Sequence, residues 1–494
     1  MIAVFLSVFV LLTVCQAGYS LSVAASVAAD EYSDCGYRYD VEDGKARITG
    51  VQNTISGDIV IPSMLGGYPV TKLGACSFSS IPVTSVIIPD TVTVIDGAFC
   101  GNKSLVSVTI PDSVVSIESD SFYNCFNLSE VNIPDSVTFI GKWAFCQCTF
   151  SSLFIPKSVT FIDEKAFAYC CDLESISVDP LNPRYHSDGN CLIETETGVL
   201  LKGCDNSVIP DDGSVTSIGT LAFSYCGMSH ITIPDSVTVI GKEAFKCCYS
   251  LTSVTIGSSV AFVDSDAFGE CKQLIKVNYT GSIADWCAIV FDDTYGTHPM
   301  TYSILMPPPF TNSTFYINDQ PITHLVIPDT VTTINYCAFF GCRGITAITL
   351  PKSVTSIGDF AIGPTMVLEH IWYEGSKEDA QKIDFGNGHL DNHGIWHYNT
   401  CKDGRHLYDN DADCDCNACE WVRDVPAFAD FTQGDIDLDG VCTASDLLRL
   451  RHHILYNRKL SKVEITAADR NGDGEVNILD LIRFKKELAE YSSI

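Results

Sequence analysis

Basic residues are scarce in this chain. Its 494 residues include 30 Lys and Arg against 61 Asp and Glu, a formal net charge of −31. Nucleic-acid backbones are held by lysine and arginine that neutralise phosphates, so this balance argues against nucleic acid as a partner. Long apolar runs are equally rare. Beyond the first residues, no stretch offers the roughly 20 apolar residues that a membrane-spanning helix needs, so no membrane span is expected. Catalytic signatures are missing too: there is no Gly-x-Ser-x-Gly elbow, no His-Glu-x-x-His and no phosphate-cradling loop. The scattered carboxylates fall on repeat turns rather than across a cleft, and no enzyme activity is expected. What the chain does have is apolar content, at 46%, enough for a large core and against wholesale disorder. Its length exceeds one ordinary compact domain, which points to several units or a repeat array.

The segment from Ile2 to Ala17 is apolar and uncharged, and small residues follow it up to an acidic stretch beginning at Asp30. This pattern predicts a signal peptide over residues 1–29, cleaved after Ala17 or near Ala29, and therefore export. No Lys or Arg precedes the apolar core, an unusual feature. Leu12-Thr13-Val14-Cys15 departs from a lipoprotein cleavage box because Val14 is large.

A repeat organises the middle of the chain. An Ile-Pro-(Asp/Lys)-(Ser/Thr)-Val motif recurs with prolines at Pro89, Pro111, Pro134, Pro156, Pro234, Pro328 and Pro351 (the last after Leu350), neighbouring copies being 22 or 23 residues apart. Between copies runs Ala/Ser-Phe-x-x-Cys-x-x-Leu-x-x-Val-x-Ile, with phenylalanines Phe122, Phe145, Phe167, Phe223, Phe245, Phe268 and Phe339. A period in the low twenties with Leu, Val and Ile at fixed places is a leucine-rich-repeat signal. Each unit supplies one short strand and one return segment, and neither buries its apolar face without neighbours. The predicted fold is a repeat solenoid: a parallel β-sheet with irregular return segments, the proline ending each strand because it lacks an N–H. The motif resembles the BspA-type leucine-rich repeat of bacterial surface and secreted proteins over residues 55–375. Residues 30–54 and 376–400 are expected to cap the two ends. The period is interrupted at residues 177–210, read as a longer repeat with an extra hairpin, and at 279–325, which holds Trp286 and Pro307-Pro308-Pro309.

The 23 cysteines would suggest a disulfide framework in an exported chain, yet the register argues otherwise. Cys125, Cys148, Cys170, Cys226, Cys248, Cys271 and Cys342 each follow a repeat Phe by three residues. Equivalent positions stack inside a solenoid, where Cys acts as a small hydrophobe, so reduced ladder thiols are expected. The segment 401–424 differs: Cys401, His406, Cys416 and Cys419 supply four ligands for a tetrahedral structural zinc, with Cys414 in addition and disulfides as the alternative. The His389, His393 and His397 series is read as surface, since Gly388 and Gly394 weaken a helix that would align it.

Two acidic loops end the chain. Asp435, Asp437, Asp439, Val441, Thr443 and Asp446 occupy the ligand positions of the first, with Gly440 at the turn. Asp469, Asn471, Asp473, Glu475, Asn477 and Asp480 repeat that spacing 34 residues later. Calcium wants six to eight oxygens, and short acidic residues alternating around a sharp Gly turn wrap them about one ion. Each loop closes with Asp where an EF-hand has Glu, followed by an amphipathic helix with no entering helix. Residues 433–491 thereby resemble a type I dockerin, which implies a small all-α module holding two calcium ions. The resemblance further implies docking onto a cohesin domain of a scaffoldin in a cellulosome-like complex, with Ala444, Ser445, Ile478 and Leu479 tuning the choice of cohesin. The two pairs differ, which puts equal binding by both faces in doubt.

Strand alternation places a row of side chains on the open sheet face: Ser107, Thr109, Glu130, Asn132, Ser152, Phe154, Ser175, Ser177, His230, Thr232, Ser253, Thr255, Lys276, Asn278, Ala347, Thr349, His370 and Trp372. Phe154 and Trp372 stand out as candidate anchors for a protein or glycan, with packing or capping as the alternative for each. The expected function is a secreted, non-catalytic binding or adhesion protein. A polysaccharide-degrading or protease-restraining component of the same complex is the alternative that the dockerin resemblance allows.

Overall fold

The computed structural model describes residues 31–32, 35–264, 266–292, 313–362, 368–386 and 395–398. Its building block is one turn that begins with a short strand. In Ser152–Ile155, Leu153 and Ile155 point inward and are buried, whereas Ser152 and Phe154 face out. The proline that follows ends the strand as its chemistry requires. Its carbonyl then accepts the N–H of the valine three residues on, at 3.1 Å for Pro111–Val114 and for Pro134–Val137. These valines are fully buried, so the turn is tied to the core by one side chain and one hydrogen bond.

The return segment is more regular than the repeat pattern alone suggests. It carries a second strand of only two residues, Ser116–Ile117, Phe139–Ile140 and Phe161–Ile162 in successive turns, paired in parallel. The solenoid therefore has two ladders of parallel strands. On the first ladder, Gly57–Val60, Val83–Ile87, Ser107–Thr109 and Glu130–Val131 form one sheet. His230–Ile233, Ser253–Ile256, Lys276–Tyr279 and Thr314–Ile317 form another, and His324–Val326, Ala347–Leu350, His370–Tyr373 and Ile395–His397 a third.

Each turn closes through an arc around the repeat Phe. Residues two before and two after it adopt left-handed backbone: Asp120 and Asn124 around Phe122, Trp143 and Gln147 around Phe145, Glu243 and Cys247 around Phe245. The two kinks aim the Phe N–H at the alanine carbonyl of the following turn, at 2.7 Å for Phe122–Ala144 and 2.9 Å for Phe145–Ala166. The rings consequently stack. Phe99, Phe122, Phe145 and Phe167 lie at successive centroid distances of 5.3, 5.2 and 5.6 Å, within 11° of parallel. Each such pair adds about 0.5–1.5 kcal/mol beyond the area it buries.

Residues 177–210 contain an antiparallel pair, Tyr185–Asp188 with Cys191–Glu194, followed by Val199–Lys202. Farther along, the helix Ile283–Ala288 starts from a capping box between Ser282 and Asp285 and drives Trp286 into the core. The Trp286 indole N–H donates to the Ala338 carbonyl at 2.8 Å, which joins the helix to a later turn. At the N-terminal end, the hairpin Tyr37–Glu42 and Lys45–Val51 pairs onto Tyr68–Leu73 and covers the first turn.

Candidate ligand-binding surface

The cysteine ladder is interior, not a site. Cys125, Cys148, Cys170, Cys226, Cys248 and Cys342 are buried, Cys271 is half-buried, and all of the described cysteines are unbridged. The thiols of Cys125, Cys148, Cys170, Cys248 and Cys271 donate to the carbonyl of the preceding turn's Phe, at 3.2 Å for Cys125–Phe99, 3.3 Å for Cys148–Phe122 and 3.2 Å for Cys170–Phe145. Burial pushes the thiols of Cys125, Cys170, Cys226 and Cys342 up to about 12, so they stay protonated and unreactive at neutral pH. Two further turns belong to the same ladder but escape the sequence motif. Phe78 and Phe99 stack at 4.9 Å, and Asn102 takes the cysteine's place by donating to the Phe78 carbonyl at 2.9 Å.

The open face of the first ladder is small and polar around Phe154, while exposed Val60, Ile87 and Val326 stand on other strands of it. Ser152, Phe154, Ser175, Ser177, His230 and Thr232 are exposed. Phe154 is 50% exposed beside Ser177 of the next strand, an isolated apolar ring on a wet face. Three positions of the expected row are buried instead. The Asn278 side chain accepts the Asp319 N–H at 2.8 Å, because the turn after Thr314–Ile317 folds over it. Thr349 bonds the His324 ring at 2.8 Å, and Ala347 lies between the strands that carry His324 and His370. Ala347 and Thr349 are thus covered by larger neighbours.

Trp372 is half-buried, and packing accounts for much of it. Its ring lies 4.9 Å from His324, 5.2 Å from His370 and 5.7 Å from His397 by centroid, the last nearly parallel. Its indole nitrogen is buried with no hydrogen-bond partner. His397, expected on the surface, is 2% exposed: parallel pairing of Ile395–His397 onto His370–Tyr373 sets it beside Trp372. The His370 Nδ1 and His397 Nε2 atoms are 3.1 Å apart, so one ring donates to the other and at least one is neutral. Burial holds the His324 pKa below its ordinary value. His324 was within reach of sequence reasoning, since it stands in register with Ala347 and His370, but its strand follows an interruption that hides the period.

Among the described residues no group of three His, Cys, Asp or Glu side chains is placed to hold a metal ion, and no helix is long and apolar enough to cross a membrane. The calcium-loop ligands from Asp435 to Asp480, the cohesin-facing Ala444, Ser445, Ile478 and Leu479, and Cys401, His406, Cys416 and Cys419 all lie outside the described residues.

This architecture is a leucine-rich-repeat solenoid with a patterned, mostly polar face. The family model described as BspA type leucine rich repeat region matches residues 71–183, 202–298 and 310–394, more than half of the chain. The chain belongs to that family, and the type I dockerin domain model matches residues 433–489 at its C-terminal end. Both are binding modules, and type I dockerins bind calcium. Among solved structures, a leucine-rich repeat protein from Bacteroides ovatus is 22% identical, with 75% of this chain and 100% of that one covered and a TM-score of 0.44. One from Eubacterium ventriosum is 22% identical, with 67% and 93% covered and a TM-score of 0.45. A leucine rich cell surface protein from Faecalibacterium prausnitzii is 23% identical, with 73% and 99% covered and a TM-score of 0.38. No curated protein matches the chain.

Proposed function

We propose that this chain is a secreted, non-catalytic binding protein that a cohesin recruits into a cellulosome-like extracellular complex. The observation that carries the proposal is the pair of acidic loops, 34 residues apart, inside the matched dockerin domain. Asp435, Asp437, Asp439, Thr443 and Asp446 hold one calcium ion, with the Val441 carbonyl completing the set. Asp469, Asn471, Asp473, Asn477 and Asp480 hold the second, with the Glu475 carbonyl. Ala444, Ser445, Ile478 and Leu479 face the cohesin. The segment between solenoid and dockerin is held by a structural zinc on Cys401, His406, Cys416 and Cys419. The solenoid carries the ligand, a protein or a glycan, on its open face, where Phe154 and the Trp372 cluster are the aromatic contacts.

Co-elution of the full chain with a type I cohesin tests this reading. Complex formation is expected in calcium and not in chelator. The double variant Asp435→Ala, Asp469→Ala should lose it at a calcium concentration that saturates the unaltered chain. Calcium-independent binding, or binding unaffected by both substitutions, would remove the assembly role.

A further inference from the structure

A second aromatic feature lies on the edge of the solenoid, away from the open sheet face, and no role is yet attached to it. Tyr123, Trp143, Tyr169, Tyr225 and Tyr249 come from five of six consecutive turns, those of Phe122, Phe145, Phe167, Phe223 and Phe245. Their rings form one unbroken row. Centroids are 6.5 Å apart for Tyr123–Trp143, 6.2 Å for Trp143–Tyr169, 5.2 Å for Tyr169–Tyr225 and 5.9 Å for Tyr225–Tyr249. The turn lacking a ring, that of Gly203, is bridged by the Tyr169–Tyr225 contact.

Packing alone explains only part of this row. Its inner edge rests on a small cluster of Cys146, Ala168 and Leu221 under Tyr123, Trp143 and Tyr169. Toward the other end the rings become exposed, Tyr225 at 36% and Tyr249 at 47%. Three of the five, Trp143, Tyr169 and Tyr225, sit on left-handed backbone at φ of 59°, 59° and 62°. Bulky side chains are disfavoured there, and the equivalent places elsewhere hold small residues such as Gly97 and Asn124 as well as larger ones such as Gln147, Leu221 and Glu243. Five rings aligned across these turns, two of them well open to solvent, point to a use outside the fold.

The charges beside the row narrow the ligand class. Lys246 is paired with both Glu243, at 3.2 Å, and Asp266, at 3.4 Å. Lys165 contacts Glu164 at 3.6 Å and stands 6.0 Å from the Trp143 ring centre. The row thus presents partly open rings whose neighbours Lys165 and Lys246 are already paired with carboxylates, while Lys202, in the turn it bridges, is buried. An extended partner with apolar C–H faces, many hydroxyls and no net charge fits that chemistry. We propose that this row is a binding platform for a neutral polysaccharide chain, running along the solenoid axis across these turns. The proposal deepens the reading of the solenoid as the ligand-holding part and rests on it.

The test is electrophoresis of the full chain through gels containing a soluble β-glucan, a xylan or a galactomannan, with polygalacturonate as the charged control. At least one neutral polymer should retard the chain. The double variant Tyr225→Asn, Tyr249→Ala should weaken that retardation on the order of tenfold, because each stacked ring contributes separately. Asn is chosen because Asn124 already occupies the same left-handed place as Tyr225. Tyr249→Ala alone, at the most exposed ring, should weaken it to a smaller extent and guards against misfolding of the double variant. Retardation unchanged in both variants overturns the platform while leaving the solenoid as a ligand holder, with the contact elsewhere. Retardation by polygalacturonate only, or by no polymer, also overturns it. In the latter case, loss of a protein ligand on Phe154→Ala would keep the broader reading standing.

Discussion

The turns from Phe99 to Phe167 and the turn of Lys202 and Gly203 are built on the same backbone but filled differently. In the regular turns a small buried residue, alanine or Ser121, precedes a stacked phenylalanine, and a cysteine thiol closes onto the carbonyl of Phe99, Phe122 or Phe145 at 3.2–3.3 Å. In the other turn Lys202 stands where the alanine belongs and Gly203 where the phenylalanine does. The hydrogen bonds still identify the register: the Gly203 N–H donates to the Ala222 carbonyl at 3.0 Å, and the Cys226 thiol reaches the Gly203 carbonyl at a longer 3.8 Å. The backbone ladder therefore survives where the side-chain ladder breaks. The Phe223 ring moves into the space of the missing side chain, since a Cβ at Gly203 would fall inside it. Lys202 is 1% exposed, its ammonium nitrogen has no hydrogen-bond partner, and the thiols of Cys170, Cys171 and Cys226 feel its charge. The two large core clusters also divide within this long repeat. In a solenoid, where each turn contacts only its neighbours, such a turn is a fault in an otherwise continuous core.

That contrast can be broken from either side. The largest effect is expected in the regular stretch: Phe145→Ala removes a ring stacked on both faces and should lower stability by about 3–5 kcal/mol in denaturant titration. Gly203→Ala forces a methyl group into the Phe223 ring and should cost about 1–3 kcal/mol. Lys202→Met keeps the stem and removes the buried unpartnered ammonium, so it should raise stability by about 1–2 kcal/mol. A loss of stability there would mean that the amine has an unseen partner. The smallest effect at neutral pH comes from the thiols. Burial raises Cys125, Cys170 and Cys226 from 9.0 to about 12, so the folded state holds protons that the unfolded chain gives up. This contribution is complete below pH 9 and declines as pH rises from there toward 12. Denaturation midpoints followed across that window should fall, and Cys170→Ala should make the fall shallower.

How much of this is legible in the sequence depends on whether a residue's environment repeats. Phe122 and Cys125 announce themselves because the same contacts recur at each turn, and stacking makes every copy report on its neighbours. Phe78 and Phe99 belong to the same ladder but lie outside the repeat motif, because Ile81 and Asn102 replace the cysteine. Asn102 does the same job through an amide that donates to one turn and accepts the N–H groups of Ser104 and Leu105. The second row of strands is only two residues per turn, too short for alternation to reveal. Asn278 and Thr349 were misplaced on the open face for another reason: they are covered by Asp319 and His324, which arrive from other turns and leave no mark on the local pattern. The aromatic edge was also invisible, since its rings occupy different offsets from the repeat phenylalanine and align only once the arcs have folded.

The central claim is that anchoring and ligand holding reside in separate parts of the chain. Calorimetric titration of the full chain with a type I cohesin, in calcium and after chelation, tests it most directly when repeated on Phe145→Ala. The account predicts tight calcium-dependent binding with the same affinity for the damaged solenoid as for the intact one. Binding that is lost with the solenoid's packing, or that persists after chelation, would contradict it.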